Sequence, residues 1–522
     1  QLQVVRESTF ASCTWLRSIC IPAGVEELEK DCFAFCHQLA SVTFEPGAQV
    51  WILGEGAFSR SALSLIVIPE SVEEIGNNCF AYCRSLASVT FESGSQVWIL
   101  GEGAFAHSGV SRIVVPSSVE VIGGSCFEDC QSLFTITFEA GDQLREFGER
   151  AFARSSLSSI CIPSSVERLG WACFTECPSL LTVTFDPDSH LTSIEAGVFA
   201  VACEMPNWQS IVIPSRVEVL AAKCFAHFGS LVSLTFATHA QLVRIGISAC
   251  QYCTSLRAID IPSSVETLGA GCFEGCRLLA SVTFAADSRL ARIEKWAFSD
   301  SALSAIALPA SVTEIGAGCF EKCKFLSTIT FETGSRLREI GEYTFCCSGL
   351  QSICVPSSVE VLGGNCFTGC DSLSTVTFEV NSRLMRMGMR AFSDCSRLES
   401  IAVPSSVWEI NAECFANCDS LSTVTFGTGS QLREMEAGAF SHCSRLESIA
   451  VPSSVREIDA ECFANCDSLS AVTFGTGSQL REMEAGAFSQ SSQAQVVLPD
   501  GQTVLAKSLC QGWKRPRSRA LP

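Results

Sequence analysis

The chain has 522 residues, 31 of them cysteine, and a net charge of −20. So acidic a body repels phosphate backbones and anionic headgroups, which argues against nucleic acid and favours neutral or basic partners. No run of about 18 apolar residues occurs and the first residues form neither an n-region nor an h-region, so neither a membrane span nor a signal peptide is predicted.

Self-similarity overrides the several domains that this length would otherwise suggest. Gln1-Leu2 through Cys13 already fits the middle of a repeat, so a preceding segment is expected. Prolines then recur at Pro22, Pro69, Pro116, Pro163, Pro214, Pro262, Pro309, Pro356, Pro404, Pro452 and Pro499, mostly 47 or 48 residues apart. Between them runs a looser copy of the same pattern, so the unit is a half-repeat. The Pro-containing A halves open at Leu16, Leu63, Val110, Leu157, Trp208, Leu256, Leu303, Leu350, Leu398 and Leu446 and are each 23 residues long. The B halves open at Leu39, Leu86, Leu133, Leu180, Leu231, Leu279, Leu326, Leu373, Leu421 and Leu469 and run from 24 to 28 residues. An apolar period in the twenties is the mark of a solenoid, which predicts one array over 1–490 and a terminal partial repeat with a basic tail over 491–522.

Each half opens with alternating apolar and small polar residues, as in Ser41-Val42-Thr43-Phe44, which predicts a short strand. Stacked coils would place these strands in one parallel sheet at about 4.8 Å spacing. In A halves the proline, having no N–H for the ladder, should end the strand. The following Gly-x-x-(Ala/Cys)-Phe-x-x-(Cys/Ser) segment is too short for an independent helix and predicts one helical or 3₁₀ turn held by packing. Two columns, Phe33, Phe58, Phe80, Phe105 onward and Phe44, Phe91, Phe138, Phe185 onward, take most of the 35 phenylalanines and predict the core spine.

These columns, I-P-x-S-V-x-x-I-G-x-x-A-F-x-x-C before the next strand, resemble the BspA-like class of leucine-rich repeats from about Leu2 to Phe488. The chain departs from that pattern in placing Cys32, Cys79, Cys126 and their equivalents before the phenylalanine. The resemblance implies an α/β-type leucine-rich repeat solenoid of about twenty coils, with a parallel β-sheet on one face and loops and short helical or 3₁₀ turns on the other. It also implies a surface or secreted binding or adhesion protein, of the kind found in bacteria and in protozoa such as trichomonads; a cytoplasmic location is the alternative. No ligand transfers with it.

The regularity breaks in the B half from Leu180, with the insert Cys203-Glu-Met-Pro-Asn207, and in the next coils at Phe228 and Cys250. Cys395–His442 and Cys443–Gln490 are a near-exact duplication, differing at Trp408/Arg456, Asn411/Asp459, Thr423/Ala471 and His442/Gln490. Beyond Pro499 the pattern decays into Lys514-Arg515-Pro516-Arg517, a solvated tail or a contact for an anionic partner.

Paired cysteines recur two coils apart, near 10 Å by strand spacing, and a disulfide needs Cα atoms within about 7 Å. Free structural thiols are expected, with Cys13 and Cys36, and the run Cys395, Cys418, Cys443 and Cys466, close enough to bridge. In B halves Ser61, Ser108 and Ser156 take the second cysteine position, which suggests a small buried polar slot. Zinc is disfavoured by the spacing and by the absence of nearby histidine ligands. Neither His37, His107, His190, His227, His239 nor His442 stands beside a nucleophile, and no phosphate loop or hydrolase motif occurs, so no enzyme and no cofactor is expected.

The expected function is non-enzymatic binding of a protein or glycan, with self-association a further possibility. The alternatives are the recognition arm of a longer kinase- or receptor-like polypeptide and an intracellular interaction scaffold. Two surfaces are candidates. One is the outward strand residues, Thr43, Thr90, Thr137 and Thr184, with the solvated acidic row Glu45, Glu92 and Glu139. The other is an exposed apolar flank at Trp51-Ile52 and Trp98-Ile99, where later B halves carry Arg-Glu.

Overall fold

The computed structural model describes residues 2–199, 209–491, 493–509 and 511–514. The insert at 203–207, the A-half opening at Trp208 and the basic segment after Lys514 lie outside the described residues. The chain forms two units, 1–256 and 257–522. Each is a stack of parallel coils.

In the first unit every coil opens with a four-residue face strand. Eight of these, from Ser18–Ile21 and Ser41–Phe44 to Thr182–Phe185, form one parallel sheet in chain order. Alternation puts the second residue of each strand inward and the third outward, as with Val42 and Thr43. The A strands end where the proline was expected to end them, Leu65–Ile68 before Pro69 for example. Proline also sets an alternation between joints. An A strand pairs with the next B strand over four residues, Ser18–Ile21 with Ser41–Phe44, but a B strand meets the next A strand at one residue, Ser41 with Leu65. Across the first joint Glu45 N–H donates to the Ile21 carbonyl at 3.0 Å. Pro69, the equivalent residue of the next coil, has no N–H to give, so the second joint splays.

That splay corrects one expectation. Strand phenylalanines such as Phe44 and Phe91 are half-buried, because the neighbouring coil stands off from them. The spine is the other column alone. Phe10, Phe33, Phe58 and Phe80 stack nearly parallel with ring centroids 5.1 to 5.5 Å apart, and Phe33, Phe58 and Phe80 are fully buried.

Behind the face lies a second parallel sheet that the sequence pattern did not announce, built of two-residue strands such as Glu27–Leu28, Ile52–Leu53 and Glu74–Ile75. Among the described residues the expected helical turn is absent from the coils. In its place two residues four apart adopt left-handed backbone, Asp31 and Phe35 in one coil and Asn78 and Tyr82 two coils on. Left-handed residues cannot propagate a right-handed turn. Their N–H groups point along the stack instead: Asp31, Phe33 and Phe35 donate to the carbonyls of Glu55, Ala57 and Ser59, each at 2.8 Å.

The second unit repeats this plan and ends differently from the expected decay. Asp500-Gly501, with Gly501 at φ +85°, turns the chain so that Thr503–Leu505 pairs antiparallel with Gln495–Val497. Trp513–Lys514 then pairs antiparallel with Glu482–Met483. Both sheets thus close on reversed strands, which shields edges that would otherwise template further pairing. Pro-Asp-Gly is a turn signal that the repeat pattern obscured.

In the first unit the irregular coils are a paired exchange. Phe228 stands in the small slot that a cysteine occupies in other A halves, Cys250 stands in the Phe spine of the next coil, and both are completely buried. Phe228→Cys alone should leave a cavity costing on the order of 3 kcal/mol, and Cys250→Phe alone should overpack by about 1–3 kcal/mol. The double variant should recover to within about 1 kcal/mol of the parent in denaturant melts, because volume is conserved; additive losses would refute the exchange.

Candidate functional site

The outward column of the first unit's face sheet reads Cys20, Thr43, Val67, Thr90, Val114, Thr137, Cys161 and Thr184, the A–B partners in direct register. All eight are exposed. The threonines stand where the sequence placed them, but the face is not a hydroxyl lawn. Between them project Val67 and Val114, with Leu65, Phe134 and Leu181 also exposed on or beside the strands. The signal was present in the same alternation, in the A halves.

The acidic row is a set of structural latches. One carboxylate oxygen of Glu45, Glu92 and Glu139 accepts from the N–H of Ala23, Glu70 and Ser117 at 3.0 to 3.1 Å. In each case the donor follows the proline of the preceding A coil. In the second unit Glu332 does the same for Ala310, and Glu379 takes both the N–H and the Oγ–H of Ser357. The row is exposed to solvent, as expected, and these carboxylates also serve the fold.

On the flank, Trp51 and Trp98 are exposed at 41% and 44%, whereas Ile52 and Ile99 are half-buried in the two-residue strands, each in register with Glu74. The backbone of Glu73 lies between the two tryptophans, donating to Trp51 and accepting from Trp98. An acidic coil therefore separates the two halves of that patch.

The second left-handed position of successive coils forms a partly exposed ladder that sequence reasoning missed. The Arg60 guanidinium lies 5.5 Å from the Phe35 ring and 4.4 Å from that of Tyr82. Tyr82 stacks on His107 at 4.4 Å, and His107 Nδ1 is 2.7 Å from Asp129 Oδ2. Arg84, His107, Asp129 and Gln131 line a small polar cleft there. The pair offers no catalytic unit, since the neighbouring Ser108 Oγ is buried 3.6 Å from Cys130 Sγ.

The small slot is occupied as expected, with one correction: its third serine is Ser155, which is buried beside Cys177, while Ser156 is half-exposed and donates to the Gln131 carbonyl. Cys83, Cys130 and Cys177 each donate to a phenylalanine carbonyl of the preceding coil at 3.0 Å. Cys395, Cys418, Cys443 and Cys466 do likewise at 3.1 to 3.2 Å, and these four, like Cys13 and Cys36, are free thiols. Burial pushes Cys83, Cys130 and Cys177 up to about 11 in spite of the hydroxyl beside each. Among the described residues no group of three or more side chains could hold a metal ion, and no helix is long and apolar enough to cross a membrane.

Parallel coils with a short strand, a turn-rich return and a buried Phe column define a leucine-rich repeat scaffold, a class whose members are in general not enzymes. The model of the BspA type leucine-rich repeat region matches residues 3–98, 98–232, 202–290, 284–386 and 385–512, and the chain belongs to that family. A leucine-rich repeat protein from Bacteroides ovatus is 22% identical over 88% of this chain and 92% of its own, with a TM-score of 0.45. A leucine-rich cell surface protein from Faecalibacterium prausnitzii is 24% identical over 71% and 89%, at 0.35. The pneumococcal vaccine antigen PcpA is 19% identical over 60% and 79%, at 0.37. No curated protein matches the chain.

Two outcomes follow from the electrostatics. Buried, protonated thiols are poor nucleophiles, so iodoacetamide under native conditions should modify the exposed Cys20, Cys161, Cys347 and Cys354 and spare the slot until denaturation, as read by peptide mass mapping. In the duplicated coils Asp459 is pushed up to about 6, first by burial and then by Glu484, Glu436, Glu457 and Glu434. Between its ordinary value and about 6 the folded state holds a proton that the unfolded chain has released, so stability falls as pH rises through that window. Asp459→Asn, which copies Asn411 of the preceding copy, should raise the melting temperature at pH 7 and flatten its change between pH 4 and 6.

Proposed function

We propose that this chain is a non-enzymatic protein-binding scaffold of the cell surface or extracellular space, and that the face sheet of its first unit is the docking surface. The observation that carries this is the exposure of Val67 (44%) and Val114 (53%) in line with Thr43, Thr90, Thr137 and Thr184, with Leu65 (55%) exposed at the head of the Val67 strand in register with Ser88. Apolar side chains held rigidly between hydroxyls bury area at little ordering cost, and they favour a protein ligand over a glycan. Family membership supports the surface location, and the acidic balance favours a neutral or basic partner.

Labelled chain should bind saturably to intact cells or immobilised matrix proteins. Val67→Arg with Val114→Arg should weaken that binding at least about tenfold with an unchanged melt, since charge is placed in the patch core. Trp51→Arg with Trp98→Arg should leave it as in the parent. If the first pair binds like the parent and the second does not, the flank is the site and the face is not.

A further inference from the structure

One pair of adjacent cysteines occurs in the chain, Cys346 and Cys347, and the docking face does not use it. The pair sits in a B coil of the second unit, directly after the spine residue Phe345. Other coils carry an alanine and then a ladder residue there, as at Ala34-Phe35 and Ala81-Tyr82. Cys347 takes the second left-handed position, at φ +56°, and the two sulfurs stand 3.5 Å apart. Cys347 is exposed and Cys346 half-buried, so reagents reach this pair from solvent, in contrast to the slot thiols. In the next coil the ladder position is Gly369, itself left-handed at φ +68°. A Cβ there would stand 3.2 Å from Cys347 Sγ, so a larger residue would crowd the sulfur that glycine leaves open.

The separation of the sulfurs selects the chemistry. Neighbouring Cα atoms are about 3.8 Å apart across a trans peptide, below the roughly 4.4 Å at which disulfides usually begin. Joining the two sulfurs directly is therefore strained. A single atom between them is not: bonded to both at about 2.3 Å, the length of a zinc–thiolate bond, it would subtend about 99° at the observed separation. An angle below the tetrahedral one suits a pyramidal trivalent centre. Two sulfurs are also all that the pair offers, since no group of three or more metal-binding side chains occurs among the described residues.

We propose that Cys346 and Cys347 form a binding site for trivalent organoarsenicals, held by both sulfurs at once. Both S–H bonds break and two As–S bonds form. The two protons leave with the oxygen of the arsenical as one water, and nothing is oxidised or reduced. Exposed Cys347 bonds first. Burial and the neighbouring thiol push Cys346 up to about 12, which makes it a poor nucleophile on its own, but its bond closes a ring within one molecule, where proximity replaces a second encounter. Cys20, Cys161 and Cys354 are exposed too, but each stands beside a threonine in register, Thr43, Thr184 and Thr377, and supplies one bond only.

The probe is phenylarsine oxide, added to the reduced full chain at pH 7 and followed by excess glutathione, with peptides mapped by mass. The peptide carrying Cys346 and Cys347 should keep one phenylarsenic group in place of two hydrogens against this monothiol and lose it to the dithiol dimercaptopropanol. Iodoacetamide applied after loading should label Cys347 at least about tenfold less, because two linked bonds release together far more slowly than one, while Cys20, Cys161 and Cys354 are labelled as before. Cys346→Ala and Cys347→Asn, which copy Ala34 and Asn417 of other coils, should each cut retention at that peptide at least about tenfold with an unchanged melt. If either variant melts early, the iodoacetamide footprint on the parent chain decides alone. Release by glutathione, retention that survives in either folded variant, or equal labelling of Cys347 with and without the arsenical overturns the site. None of these readouts involves Val67 or Val114, so the docking face stands or falls separately.

Discussion

The spacing of one coil is the constraint from which the rest of this structure follows. Parallel strands stand about 4.8 Å apart, so any group present in every coil meets its copies at nearly that distance. Few groups tolerate it. Phenylalanine rings do when stacked face to face with a slight offset, and the spine shows centroids 5.0 to 5.7 Å apart. A thiol or hydroxyl tolerates it when each donates to the coil before it, as Cys83 and Ser491 do. Carboxylates tolerate it less well: Glu434 and Glu457 stand in register in successive coils, and with Glu484 and Glu436 they add to the burial that pushes Asp459 up to about 6.

Much of this was legible because period is what sequence shows best. The face strands, the proline stop, the Phe33-to-Phe488 spine and the Ser/Cys slot all lie in fixed columns. What escaped depends on direction, not on residue class. Residues as unlike as Asp31, Phe35, Arg60 and His107 share left-handed backbone, and no column of glycines advertises it. A helical turn was therefore the natural expectation, overturned because each N–H finds its acceptor one coil onward. The Glu45 row is solvated, as its regularity suggested, but that regularity gave no hint that Glu45, Glu92 and Glu139 each cap the N–H that follows an A-half proline.

The candidate surfaces were legible by half. Thr43, Thr90, Thr137 and Thr184 are where alternation put them, but Val67 and Val114, visible in the same pattern, change the chemistry of the face. Trp51 and Trp98 are exposed as expected, whereas Ile52 and Ile99 belong to a strand that two residues of sequence were too short to reveal.

Because proline loosens every second joint, the repeating piece of this molecule is a pair of coils. A lone coil inserted into the array would set a latch against a turn that needs none, or leave a proline-following amide without its carboxylate. Growth by copying must then proceed in steps of two, and the duplication of 48 residues ending at Gln490 is one such step. Each step also copies a pair of face strands with their outward residues, so lengthening the gene and lengthening the exposed face would be the same genetic event.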